Sequence, residues 1–385
     1  MSDKLTKEPS VFIQFAGQGV KYMEDLRRMY TTCPDIRPFI HASIAEIKAQ
    51  ASLYDDSQTH FFTKGLDVDV WIEKPETTPE LSYLLSSPLS HPLISLTQMA
   101  SYMSALTEGI DQDRLLAQTH SATGFSTGIV AAILVSMGLP YDDLCRMAIK
   151  VQAMFFWQGV RCQESMLTFG VNPKLVTELY HSVEGSPSCM ASITNLTRSK
   201  LETAIHSFSG NGNCNIYPAY ELFPGRWIVS GLPDDLSVLN QYLKKEEAQA
   251  TWRYIPSTIG AHSPFLAHAY ETSPRDAKRL GLSFNGKDMK IPVLSNDKGE
   301  DLRALDDIID EVMRAYFLCP AIWRKQISPI LPPTKIRYVL DFGPGTGVAS
   351  LTENHSASSG IQVVRCSIPL GRKKLMEEIR PQLGL

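Results

Sequence analysis

The stretch LLAQTHSATGFSTGIVAAILV, residues 115–135, decides the fold. Residues 115 to 123 lead as a strand into Gly124-Phe125-Ser126-Thr127-Gly128, after which Ile129 to Val135 are apolar throughout. That order reads as a strand, a tight glycine-flanked turn and a buried helix. The five central residues fit G-x-S-x-G, a pattern whose logic is steric. A serine held in a sharp strand-to-helix turn needs small neighbours so that the backbone can fold back and expose its Oγ. The following helix also points its N–H groups and the positive end of its dipole at that oxygen. The five letters alone fit an incidental Gly/Ser turn as well; the strand before and the helix after favour the functional reading.

Working outward, Val11 to Phe15 form a second short buried strand, broken by Ala16-Gly17-Gln18-Gly19, and a helix follows to Tyr30. Residues 31–90 are rich in Pro, Ser, Thr and Asp and are expected to be irregular, with short helices only. A helix is expected from Pro92 to Leu106, its proline in the first turn, and another from Tyr141 to Glu164. Residues 189–255 have their own rhythm. Strands at Met190–Ile193, Asn215–Tyr217, Trp227–Val229 and Trp252–Ile255 alternate with helices at Ser199–Phe208 and Asp235–Lys245. This β-α-β-β-α-β order is ferredoxin-like. Strands near Ile291–Leu294, Ile336–Phe342 and Ile361–Cys366 return the chain to the first unit. The expected architecture is α/β: a large α/β-hydrolase-like domain with a parallel sheet over residues 1–187 and 254–385, interrupted by a small ferredoxin-like domain over 188–253.

A chain of 385 residues with 43% hydrophobic and 20% charged residues has an ordinary globular balance. A net charge of −4 gives no reason to expect nucleic acid as a partner. The N-terminal segment lacks an apolar signal region, and no run approaches a membrane span. The seven cysteines are scattered without zinc-site spacing and read as reduced thiols. These features lead us to expect a cytoplasmic protein with no membrane partner, no metal and no bound cofactor.

A serine nucleophile needs a base. His120 lies on the entering strand and cannot readily reach round the turn, so it reads as structural. His262, in Gly260-Ala261-His262-Ser263-Pro264-Phe265, is better placed, although an ordinary loop histidine fits the same letters. The Gly17-Gln18-Gly19 turn lacks a phosphate-loop motif and can instead supply a second N–H to an oxyanion. Asp341, before Gly343-Pro344-Gly345, could serve as a triad acid, but a strand-end carboxylate beside glycines more commonly caps its own turn.

These segments, in this order, resemble the malonyl/acetyl acyltransferase family, and especially the N-terminal starter acyltransferase domains of fungal fatty acid synthase β subunits. The resemblance covers nearly the whole chain. It is carried by FAGQG (15–19), the run from WIEKP (71–75) through SHPLISLTQMASYM (90–103), SATGFSTGIVAA (121–132), FWQGVRCQES (156–165), ASITNLT (191–197), WIVSGLP (227–233), AHSPFL (261–266), IPVLSNDKGEDLR (291–303) and VLDFGPGTG (339–347). It implies Ser126 as nucleophile and His262 as base, the histidine oriented by backbone carbonyls of the Ser295-Asn296 loop. It implies an oxyanion hole from the N–H groups of Gln18 and Thr127, and substrate contacts from Phe125, Gln158 and Phe265. Acyl-CoA is the implied donor, the phosphopantetheine of an acyl carrier protein the acceptor, and other synthase domains further partners. The small domain is implied to close over the cleft.

Two departures narrow the reading. Phe125 stands where the family usually has histidine, as in starter-unit acyltransferase domains of fungal polyketide synthases. Gln158 stands where malonyl-specific relatives carry a carboxylate-binding arginine, which argues for a neutral acyl group. A thioester hydrolase, a malonyl-specific transferase and a non-catalytic docking module are the alternatives.

Overall fold

The computed structural model describes residues 8–171, 188–209 and 215–385. His181, Cys214 and the expected domain junction at residue 187 lie outside them. Four strands form a fully parallel sheet in the order β2-β1-β8-β9: β1 Val11–Phe15, β2 Thr119–Gly124, β8 Tyr338–Asp341 and β9 Gln362–Arg365. All five residues of β1 are buried, which is why they read as an apolar run, broken only by Gln14, rather than an alternating one. The strand expected near Ile291–Leu294 is reduced to a single parallel bridge, Ala122 to Val293, beside β2. Two hydrogen bonds, Ala122 N to Pro292 O and Leu294 N to Ala122 O, still fasten it to the sheet edge.

The second sheet has the order β6-β3-β5-β4-β7. Its strands are β3 Met190–Thr194, β4 Ile216–Phe223, β5 Arg226–Gly231, β6 Thr251–Ile255 and the two-residue β7 Ala321–Ile322. Helices Arg198–Ser209 and Pro233–Glu246 complete the β-α-β-β-α-β succession. The first four strands in this order pair antiparallel, and their residues close a separate apolar core around Ile193, Leu201, Trp227, Leu236 and Leu239. β7 belongs to the returning chain and pairs parallel with β4 at Tyr220–Ala321 and Glu221–Ile322.

Three helical expectations need correction. The segment expected to be irregular contains the helix Arg37–Ala51, which buries Phe39, Ile40, Ser43, Ile44 and Ile47 against the Tyr141–Leu167 helix. Their i, i+1, i+4, i+5, i+8 spacing is a helical stripe. Pro92 does not begin its helix, because the helix runs Ser87–Thr107, Pro88 occupies the first turn and Pro92 lies inside. Close packing on a neighbour holds this helix in spite of the lost hydrogen bond: a Cβ on Gly159 would meet Ser87 O at 2.2 Å. Residues 112–118 are a short helix, so the strand feeding the serine turn starts only at Thr119.

Candidate active site

β2 ends at Gly124, and the wholly buried helix Gly128–Ser136 starts four residues later. Between them Ser126 adopts φ 53°, a left-handed backbone that a residue with a Cβ rarely takes. The flanking glycines are required by contact. A Cβ on Gly124 would lie 1.9 Å from the Gly128 carbonyl carbon, and one on Gly128 would lie 2.5 Å from Ala16 O. Gly17 is equally constrained, since its Cβ would fall 2.3 Å from Phe125 O. The FAGQG turn and the serine turn are thus pressed together.

Ser126 Oγ lies 2.9 Å from His262 Nε2. His262 also has a left-handed backbone, φ 54°, and its loop is pinned on both sides. Ser230 Oγ of β5 donates to Ala261 O at 2.6 Å, and Ser263 N donates to Phe317 O at 2.9 Å. The imidazole Nδ1–H donates to Cys319 O at 2.7 Å. The orienting carbonyl therefore comes from Cys319, not from the Ser295-Asn296 loop. Asn296 is engaged elsewhere: its side chain donates to Gly124 O at 3.0 Å, and its carbonyl accepts from Ile322 N and Gln326 Nε2. The Cys319 bond fixes the tautomer that leaves the Nε2 lone pair facing the serine hydroxyl. Burial pushes the imidazole down from 6.5 to about 4, only partly offset by its hydrogen bonds to backbone carbonyls, so it is neutral at physiological pH.

Asp341 caps its own turn. It accepts from Gly343 N at 2.9 Å and from Gln14, and burial pushes its carboxyl up to about 7. His120 is exposed and bonds Ser121 Oγ at 2.9 Å. Gln18 lines the cavity in front of the serine turn and donates to Ser90 Oγ at 2.8 Å. Among the described residues, the main-chain N–H groups of Gln18 and Thr127 enter no main-chain hydrogen bond.

Of the residues expected to touch substrate, Phe125 lines the cavity and the other two do not. Gln158, on the Tyr141–Leu167 helix, packs against the Ile308–Leu318 helix, its Nε2 on Met313 Sδ at 2.9 Å and its Oε1 without a partner among the described residues. Phe265 packs under Gly260 and edge-on to Tyr217, where it supports the histidine loop. The cavity itself is small, about 60 Å³, and mostly apolar, with Leu85, Met190, Ile228 and Ile255 in its walls.

Two residues at the site were not anticipated. Tyr220 of β4 places its hydroxyl 3.4 Å from Ser126 Oγ, and Tyr316 sets its ring edge-on to His262 with centroids 5.9 Å apart. Tyr316 is held in turn by His91. No sequence signal marks Tyr220; in the structure Ala219 and Tyr220 are two successive buried residues of β4. Among the described residues no cluster of His, Cys, Asp and Glu could hold a metal ion, and no helix is long and apolar enough to cross a membrane.

Residues 13–262 match the family described as "Starter unit:ACP transacylase in aflatoxin biosynthesis". The chain belongs to this transacylase family. It is 29% identical over 374 residues to the fatty acid synthase subunit beta of Saccharomyces cerevisiae, covering 91% of this chain and 18% of that protein. It is 28% identical over 394 residues to the fatty acid synthase beta subunit TOXC of Cochliobolus carbonum, covering 95% and 18%. The chain thus spans about a fifth of the length of these relatives. A malonyl CoA-acyl carrier protein transacylase from Clostridium perfringens has the same fold, with a TM-score of 0.68 at 18% identity over 97% of this chain and 98% of that one. The family match takes in Gln18, the serine turn, Tyr220 and His262, whereas Tyr316 and Cys319 lie beyond its end.

Proposed function

We propose that this chain is a starter-type acyltransferase that takes an acyl group from acyl-CoA onto Ser126 and passes it to the phosphopantetheine thiol of an acyl carrier protein. The observation that carries the reading is the 2.9 Å contact between a strained, buried serine and a neutral histidine of fixed tautomer. In the first half-reaction Ser126 Oγ attacks the thioester carbonyl carbon while His262 Nε2 takes the hydroxyl proton. The C–S bond then breaks, the proton passes to the departing thiolate, and an acyl-serine ester remains. The second half-reaction is the reverse, with the carrier thiol giving its proton to His262 and attacking the ester. The N–H groups of Gln18 and Thr127 stabilise the oxyanion in both. No bound cofactor is needed, because the thioester is already activated. Residues 188–253 act as a ferredoxin-like lid on the body formed by 1–187 and 254–385, and the synthase that this chain serves is cytoplasmic.

The test is a two-step transfer read by intact-protein mass. Acetyl-CoA should add an acyl mass to the chain, and holo acyl carrier protein should then remove it and gain the same mass. Release as free acid instead would make the chain a thioester hydrolase.

A further inference from the structure

Tyr220 reaches out of its own sheet. Its strand neighbours Ile216, Trp227 and Val229 close the small core, whereas Tyr220 packs with the core of the large body. A register shift between Pro218 and Tyr220 causes this, because the irregularity turns Ala219 and Tyr220 inward in succession. The ring then lies flat against Phe125, centroids 5.0 Å apart and planes 9° apart, and meets His262 at 4.6 Å and 64°. The ring is thus set between Phe125 of the serine turn, the His262 base and the cavity. Backed by Phe125, it cannot swing toward the turn.

Ser126 and His262 are each only 1% exposed, and the cavity of about 60 Å³ in front of them has Tyr220 in its wall. An acyl chain whose carbonyl carbon reaches Ser126 Oγ must lie along the face that Tyr220 and Phe125 present. We infer that Tyr220 is the residue that limits acyl length, admitting short neutral chains and excluding longer ones by its ring. The inference rests on the acyltransferase reading and deepens it. The ring does the excluding, while the hydroxyl 3.4 Å from Ser126 Oγ contributes to orientation. Each methylene that a hydrophobic pocket rejects is worth roughly 10–200-fold in kcat/KM, so one aromatic wall is sufficient to set a cut-off.

The experiment measures single-turnover acylation of the unsubstituted chain, Tyr220→Phe, Tyr220→Leu and Tyr220→Ala with acetyl-, butyryl-, hexanoyl- and octanoyl-CoA. The quantity read is the hexanoyl-to-acetyl rate ratio, which a general loss of folded protein does not change. Tyr220→Phe should keep the ratio, and Tyr220→Leu and Tyr220→Ala should raise it by roughly tenfold or more. An unchanged ratio in both smaller variants, or an unsubstituted chain that takes octanoyl as fast as acetyl, overturns the inference and leaves the transferase standing. Absence of acyl mass from every donor in the unsubstituted chain overturns both.

Discussion

Ser126 and His262 share an uncommon property, a left-handed backbone at a residue with a side chain. Such conformations cost on the order of 1–3 kcal/mol each and persist where the surroundings over-determine them, as the glycine contacts do here. Ser126→Ala keeps the Cβ and its contacts and removes only the hydroxyl. It should therefore fold normally by circular dichroism while losing roughly five to six powers of ten in acylation rate. A buried imidazole with its affinity for protons pushed down to about 4 has two consequences for pH. Acylation should hold its rate from neutral pH down to near 4, instead of falling through 6.5 as an exposed histidine would dictate; rates at stepped pH will place the limb. Stability behaves differently. Between 6.5 and about 4 the unfolded chain binds a proton at His262 that the folded chain refuses, so stability declines as pH falls across that window. His91, buried and likewise pushed down to about 4, adds a contribution of the same sign.

Among the elements, the join between β2 and its helix tolerates nothing larger than hydrogen at Gly124. Gly124→Ala should cost about 3 kcal/mol or more in urea unfolding, and an unchanged midpoint would contradict the contact geometry. The end of the Ile308–Leu318 helix is the second such join, because Cys319 O sets the imidazole. Arg314 holds that end through Asp297, Glu311 and Cys319 Sγ. Arg314→Ala should lower kcat by roughly 10–100-fold with little change in KM, since the base is displaced and the cavity is not. Arg314→Lys should recover only part, for lack of the guanidinium fork; equal losses in kcat and KM would contradict this positioning role. The sheets and the serine turn were legible in the sequence because buried strands and glycine punctuation are local signals. The Arg37–Ala51 helix was not, since its stripe from Phe39 to Ile47 was averaged into the polar, proline-rich segment around it. Cys319 and Tyr220 were illegible for a different reason. One acts through a carbonyl that any residue has, and the other through a register shift that depends on its partner strand.

On the scale of the whole molecule, the small sheet sends Met190, Tyr220 and Ile228 to the large core, which holds Phe125 beside the nucleophile. β3 and β6 pair side by side, with Met190 opposite Ile255. β7 pairs with β4 at Tyr220. Among the described residues no cation lines the small, mostly apolar cavity in front of Ser126, and Gln158 does not enter it. A malonyl carboxylate would lose its hydration there without a partner, at a cost of about 3–5 kcal/mol, so kcat/KM for malonyl-CoA should lie roughly two to three powers of ten below that for acetyl-CoA. Comparable values for the two donors would contradict the neutral-acyl reading. The most direct test of the central claim is the position of the covalent acyl group. After brief exposure to acetyl-CoA, fragmentation of the peptide spanning Gly124–Gly128 should place the added mass on Ser126, and the same peptide from Ser126→Ala should carry none. An acyl group found on a cysteine, or on any residue of the Ser126→Ala protein at an undiminished rate, would contradict the account.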